Sequence, residues 1–270
     1  MKKTFATLAL TTAFAAPALA QTAAPVSPHS FSGNITLASD YVFRGISQTQ
    51  HQPALQGGLD YAHTSGVYLG VWASNVSWVR ETGLMNNSSM ELDVYGGYKW
   101  ALGADTTLDL GAVHYHYPGN QVAGLPTPNS TEIYAGLSWK FLMLKYSHAV
   151  SKNLFAWESA PNERSKGSGY IDLTLNFDLG DGWGVTGHVG HQKIRRAHFA
   201  DAAGIDRNAS YTDWKLGVSK DLGFGTLALA YTGTNAKGNC ALAQPYCWGT
   251  APDRKNVSDD RITLTFSKTF

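Results

Sequence analysis

The chain has 270 residues, 21 basic and 20 acidic, for a formal net charge of +1 and a mean hydropathy of −0.20. Near-neutral charge leaves no electrostatic footprint for a nucleic-acid partner. No run of about 18 apolar residues is present, so no transmembrane helix is expected. The length suits one domain.

The N-terminus reads as an export signal. Lys2 and Lys3 give the positive start, Phe5 to Ala16 the short apolar run, and Ala18-Leu19-Ala20 before Gln21 the small-residue cleavage site. Residues 21–30, polar and proline-containing, read as a flexible periplasmic lead-in to a barrel domain over 31–270.

From there the hydrophobic period is two. Met90, Leu92, Val94, Gly96, Tyr98 and Trp100 alternate with Glu91, Asp93, Tyr95, Gly97 and Lys99. Ile171, Leu173, Leu175, Phe177 and Leu179 alternate with Asp172, Thr174, Asn176 and Asp178. Period two places successive side chains on opposite faces of a strand. The pattern predicts strands over 33–45, 53–63, 66–76, 89–100, 106–117, 130–140, 141–149, 169–179, 183–192, 210–220, 226–235 and 259–270.

The connectors alternate in length. Short ones fall at 64–65, 101–105, Lys140-Phe141, 180–182 and 221–225, and long ones at 46–52, 77–88, 118–129, 150–168, 193–209 and 236–258. An even number of tilted strands with alternating short and long connections is the pattern of a membrane-spanning, antiparallel, up-and-down β-barrel. Closure is required because a backbone in lipid must satisfy its own N–H and C=O groups. Short turns then face the periplasm and long loops the outside.

Aromatic side chains sit where interfacial girdles belong: Trp100, Trp139, Trp183, Phe177 and Phe270 toward the short-turn end, Tyr41, Phe43 and Trp214 toward the other. The last strand carries Ile262, Leu264, Phe266 and Phe270 on one face and Arg261, Thr263, Thr265, Ser267 and Thr269 on the other, with Lys268 able to snorkel. An alternating strand ending in Phe270 resembles the signal read by the barrel assembly machinery. Cys240 and Cys247, in one loop of an exported chain, are disulfide candidates. No metal site is expected there, because neither His nor a third Cys stands beside them.

Residues 33–76 resemble the opening of the TorF porin family of Gram-negative bacteria. The likeness is carried by Ser39-Asp40-Tyr41-Val42-Phe43-Arg44-Gly45, Ser47-Gln48-Thr49, Pro53-Ala54, Gln56-Gly57-Gly58 and Trp72-Ala73-Ser74-Asn75, and later by Thr131-Glu132-Ile133-Tyr134-Ala135-Gly136. It is strongest in the first third of the mature chain. The resemblance implies an outer-membrane barrel and brings no catalytic or binding residues.

If the apolar face meets lipid, the other face lines the interior. The pore-lining candidates are Asp40, Arg44, Asp60, Glu91, Asp93, Glu132, Asp172, Asp213, Lys99, Lys145 and Lys215, with Asp109, Asp178, Lys140 and Arg261 also inward. Glu91, Glu132, Asp172 and Asp213 each fall near the start of a strand descending from a long loop. At similar heights they would form a partial acidic ring, which favours cations. Asp40 and Arg44, four apart on one expected strand, would pair along the wall. Residues 48–52 form a polar first loop able to fold into the mouth.

The expected function is passive diffusion of small hydrophilic solutes or ions, with a weak cation preference and no cofactor. The expected partners are outer-membrane lipids and lipopolysaccharide. Two other readings stay open. One is a closed structural or adhesive barrel acting through loops such as 150–168 and 193–209, the latter with Lys193, Arg195 and Arg196. The other is a lipid-modifying enzyme, for which His114, His116 and His148 are the histidines to place. Charges that pair across strands inside a plugged barrel are the alternative to the acidic ring.

Overall fold

A computed structural model describes residues 27–158, 160 and 163–270. The export signal and residues 21–26 of the lead-in lie outside the described residues.

Twelve strands form the wall: β1 His29–Ala38, β2 Ala54–His63, β3 Val67–Asn75, β4 Met90–Ala101, β5 Thr106–His116, β6 Ser130–Trp139, β7 Leu142–Ala149, β8 Gly169–Gly180, β9 Trp183–Lys193, β10 Tyr211–Asp221, β11 Thr226–Thr234 and β12 Arg261–Thr269. Each is antiparallel to its sequence neighbour, and β1 pairs with β12 to close the barrel. The fold is therefore an all-β, up-and-down, twelve-stranded closed barrel. Closure leaves no unpaired strand edge among the wall strands.

The period-two reading places eleven of these strands to within about two residues, the usual uncertainty of strand ends. The exception is β1. Its wall portion starts at His29, paired with His63, and stops at Ala38, paired with both Ala54 and Thr265. Residues 39–45, expected to continue it, leave the wall instead. Arg44 and Gly45 have φ of 47° and 79°, in the left-handed region that a strand cannot contain. They form the turn between two short paired segments, Val42–Phe43 and Ile46–Ser47.

The outward face is apolar and exposed along the whole wall. Leu59 is 66% exposed, Leu216 63% and Ile262 68%. A continuous exposed belt of this kind is foreign to monomeric proteins in water and is the surface a barrel presents to lipid. Trp100, Trp139, Trp183, Phe177 and Phe270 are exposed toward the short-turn end, and Trp214 toward the other. Tyr41 and Phe43 do not belong to this girdle. Both have moved inside with the first loop, where Tyr41 is buried against Trp72 and Phe43 packs edge-on against Tyr115.

The packed core sits among the long loops, inside the mouth. One cluster joins Tyr41, Trp72, Trp78, Val79, Met85 and Tyr117. A second joins Leu154, Ile194, Ala197 and Ala209, and a third joins Ile46, Tyr211, Tyr246 and Val257. The loops are also stitched by backbone bonds, Ser47 N–H to Val257 O and Ser77 N–H to Gln48 O, both 2.9 Å. A disulfide joins Cys240 and Cys247 in the last long loop.

Candidate functional site: the lumen and its outer plug

The first long loop, 39–53, folds into the barrel mouth and is fastened at three points. Asp40 accepts from the Ser47 hydroxyl at 2.6 Å, the Thr49 hydroxyl at 2.9 Å and Arg261 Nη1 of β12 at 2.9 Å. Tyr41 donates to Glu91 Oε1 of β4 at 2.9 Å. Burial, and then the neighbouring Glu91 charge, push the Tyr41 hydroxyl well above the ordinary phenol range, so it stays protonated and donates.

The third fastening is Arg44. Its guanidinium donates to both oxygens of Glu132 on β6, at 3.1 and 2.7 Å, and to Gln192 Oε1 on β9 at 2.6 Å. It also stacks over the rings of Tyr170 and Phe43, at 4.3 and 4.8 Å. The loop springs from between β1 and β2, and β6 and β9 stand on the far side of the ring. Arg44 therefore crosses the mouth. The expected pairing of Asp40 with Arg44 along one strand is absent; the turn at Arg44 sends the two side chains to Arg261 and Glu132 instead.

Glu91, Glu132, Asp172 and Asp213 are all buried, and each has partners. Glu91 also accepts from Tyr117 at 2.7 Å, and Glu132 from Tyr115 at 3.2 Å. Asp213 accepts from Tyr170 at 3.0 Å and faces His188 Nε2 at 3.1 Å, while Asp172 lies 3.9 Å from the other ring nitrogen of His188. Asp93 stands apart: its Oδ1 is buried with no hydrogen-bond partner among the described residues. Tyrosine hydroxyls and a histidine thus share the work of holding the acids.

Deeper in, the lumen loosens. Asp60 accepts from Tyr95 and from Asn34, and Asp109 from Tyr68 at 2.6 Å. Lys99 lies over the Tyr68 ring at 5.0 Å and Lys145 over Tyr134 at 4.0 Å. Down β8, the inward residues pass from buried Tyr170 and Asp172, through half-buried Thr174 and Asn176, to exposed Asp178. On β10, Lys215 shares the inward face with buried Asp213 yet is itself exposed. An inward side chain that remains accessible requires open space beside it. The barrel is filled at the long-loop end, and inward side chains become more accessible toward the short-turn end.

Phe43, Ile46 and Gln48 of the plug also help to line a cavity of about 250 Å3, walled by aromatic side chains that include Trp78, Phe155, Tyr211 and Trp248, with Gln192 among its polar groups. Alternation alone puts Tyr115, Tyr117, Tyr170, His188 and Gln192 on the polar face. What it misses is that they hold the acids, because their partners sit on other strands.

The histidines of the enzyme reading face outward or stand at the rim. His114 Nδ1 meets the Thr131 hydroxyl at 2.9 Å, His148 meets Tyr146 at 3.1 Å, and Ser147 is buried on the opposite face from His148. The His114 and His116 rings stack at 6.3 Å. Among the described residues no group of three or more metal-capable side chains forms.

The profile of a bacterial protein family of unknown function, Gcw_chp, matches residues 22–270. The chain belongs to the Gcw_chp family. No curated protein matches it by sequence. Among solved structures, the Gcw_chp chain superposes on the KdgM porin with a TM-score of 0.51 at 7% identity, over 88% of this chain and 99% of that one. A KdgM porin in complex with disordered oligogalacturonate gives a TM-score of 0.52 at 6% identity, over the same shares of 88% and 99%. The NanC porin gives 0.49 at 9% identity, over 89% and 98%. At such identities the likeness to KdgM is one of fold: this Gcw_chp protein is built as a porin-type barrel.

Proposed function

We propose that this protein is an outer-membrane channel for passive diffusion of small hydrophilic solutes or ions, narrowed at its outer mouth by residues 39–53. The observation that carries the reading is the gradient along the lumen, from fully buried Glu132 beneath the plug to exposed Lys215 and Asp178 below. A lumen lined with ionised and hydroxyl groups, inside a wall whose outside is apolar, suits water and polar solutes. The KdgM complex with disordered oligogalacturonate is an instance of a hydrophilic molecule held by a barrel of this fold.

The pore-lining side chains in this reading are Asp40, Arg44, Asp60, Glu91, Asp93, Glu132, Asp172, Asp213, Lys99, Lys145 and Lys215. Carboxylates outnumber cations among them, which favours a weak cation preference. The reading includes export with cleavage after Ala20, delivery through recognition of Phe270 by the barrel assembly machinery, and contact with lipopolysaccharide. It agrees with the resemblance of residues 33–76 to the TorF porins. No chemistry, cofactor or energy coupling enters it.

The test is single-channel recording of the refolded protein in a planar bilayer under a KCl gradient. Discrete steps with a cation-leaning reversal potential are expected. A chloride-selective pore removes the cation preference and leaves the channel. Full burial of Glu132 beneath the plug favours a second reading, a closed barrel working through its outer loops, and folded protein that gives no steps would establish it instead.

A further inference from the structure

Four long loops bring aromatic side chains to one place. Phe43 comes from 39–53, Trp78 from 77–88, Phe155 and Trp157 from 150–168 and Trp248 from 236–258, and all five line the cavity of about 250 Å3. Trp78 is buried, but the other four are only half-buried, so part of each ring faces open space.

The rings are held in place. Phe43 packs edge-on against Phe155 at 5.8 Å, and Trp78 lies 6.1 Å from Trp248. Trp157 lies 5.5 Å from Tyr246. The 150–168 loop is tied across itself, Leu154 N–H to the Ser165 hydroxyl at 2.9 Å and that hydroxyl to Trp157 O at 2.7 Å. The cavity is therefore preformed, and a ligand need not order it.

Its chemistry narrows the occupant. Among the described residues that line it there is no Lys, Arg or His, so an anion finds no counter-charge. The one carboxylate, Glu158, already accepts from Asn153 at 3.0 Å. Most donors of the wall are engaged within the protein. Thr82 Oγ1 donates to Trp78 O at 2.8 Å, Gln48 Nε2 to Ile46 O at 2.9 Å, Gln192 Nε2 to Gly169 O at 3.0 Å and Trp248 Nε1 to Pro245 O at 2.9 Å. The Tyr117 and Tyr246 hydroxyls donate to Glu91 Oε2 and Ala209 O, both at 2.7 Å. A sugar would bury hydroxyls here with few partners, which is costly. Water in such a space also finds few partners and is readily displaced. What the wall offers is ring faces, against which another aromatic ring packs well, offset or edge-on.

We propose that this cavity binds a neutral aromatic molecule of one or two rings, held against Phe43, Phe155, Trp157 and Trp248. Passage of hydrophilic solutes does not include such a site. Nor does the site rest on that reading, because the loops form the cavity whether or not the lumen conducts.

The experiment is calorimetric titration of the folded, detergent-solubilised protein with indole. The comparisons are glucose, indole-3-acetate and the variant Ala156→Trp, in which a new ring fills the space; Ala156 lines the cavity and is half-buried. Partition of indole into micelles does not saturate, so a saturable heat reports the protein. One-to-one binding is expected, at least about tenfold tighter in the wild type than in the variant. Indole-3-acetate should bind about tenfold more weakly than indole, and glucose should give no saturable heat. No saturable heat from indole, or equal affinity in Ala156→Trp, overturns the site. Saturable binding of glucose overturns the aromatic ligand, and equal affinity for indole-3-acetate overturns its neutrality.

Heat-modifiable migration on gels reports folding. If Ala156→Trp does not fold, Trp248→Leu reads the same contact by removing one ring face, and indole affinity unmoved by it overturns the proposal. Conductance of the same preparations separates the two readings. A conducting barrel that leaves indole unbound sinks the site alone, and a silent barrel that binds it sinks the channel alone.

Discussion

Arg44 and Glu132 stand 88 residues apart in sequence, and their nearest side-chain atoms are 2.7 Å apart. Glu132 is fully buried and Arg44 nearly so. Removing one member of a buried pair strands the other, at a cost of about 3–5 kcal/mol. Arg44→Ala is therefore expected to loosen loop 39–53, because Glu132 can regain solvation only if water enters the mouth. Unitary conductance should rise by roughly twofold or more as the mouth widens. Unchanged conductance in a correctly folded variant would show that this pair does not hold the constriction.

Gly45 gives an independent handle on the same loop. A Cβ built there would lie 2.6 Å from the Asp213 Cβ and 3.2 Å from the Thr234 Cβ, and φ is 79°. Gly45→Val thus meets both a steric and a backbone conflict, the latter of order 1–3 kcal/mol. The wall cannot yield, so the loop tip must withdraw. Larger conductance and faster proteolysis within 39–53 are expected. A variant recording like the wild type would place the constriction elsewhere in the lumen.

The wall was legible because a barrel repeats one rule twelve times: each strand must alternate to keep lipid outside and water inside. Met90 to Trp100 announces β4 without any knowledge of its neighbours. The plug obeys no such local rule. Asp40 to Arg44 continues the alternation well enough to pass for strand, and contacts to Glu91, Arg261, Glu132 and Gln192 draw it inward. Those partners lie between 50 and 221 residues away. That Glu91, Glu132, Asp172 and Asp213 share the polar faces of their strands followed from alternation. Their pairing with Tyr41, Arg44 and His188 depended on the inserted loop and on cross-strand register, which no single segment encodes.

Asp93 and Asp172 are the acids least held by partners. Asp93 Oδ1 has no hydrogen-bond partner among the described residues, and Asp172 accepts a long bond from the Thr174 hydroxyl at 3.4 Å and faces His188 at 3.9 Å. If the acidic level sets ion preference, Asp172→Asn should move the reversal potential toward zero or to the chloride side, with little change in folding. Glu132→Gln should disturb folding more than selectivity, since its charge already faces Arg44. Selectivity unmoved by Asp172→Asn would mean that the net lumen charge, and not this level, governs permeation.

The disulfide restrains the last long loop. Closing a loop with a sequence separation of 7 removes about 2.5 kcal/mol of unfolded-state entropy on the chain-entropy model. Tyr246, one residue before Cys247, donates to Ala209 O at 2.7 Å and packs edge-on against Tyr211. Reduction, or Cys240→Ser with Cys247→Ser, should therefore free residues 236–258 to proteolysis while the barrel keeps its heat-modifiable migration. Loss of the barrel itself would mean that the loop cap contributes to wall stability.

His51 gives the first loop a dependence on pH. Burial, and next the Arg261 charge, lower its pKa below the ordinary histidine value, while Asp40 opposes the shift and Nε2 meets Asn256 O at 3.1 Å. A histidine with a depressed folded pKa favours the folded loop while it is neutral. That contribution is fully present above the unfolded value of about 6.5 and is lost as pH falls through it toward the lower folded value. Loop 39–53 should therefore open more often in acid, seen as longer or more frequent large-conductance events below about pH 6. His51→Gln removes the titrating group while keeping an amide that can donate to Asn256 O, so its gating should become flat across the same interval. Acid-dependent gating that survives in His51→Gln would show that His51 is not the group that opens the loop.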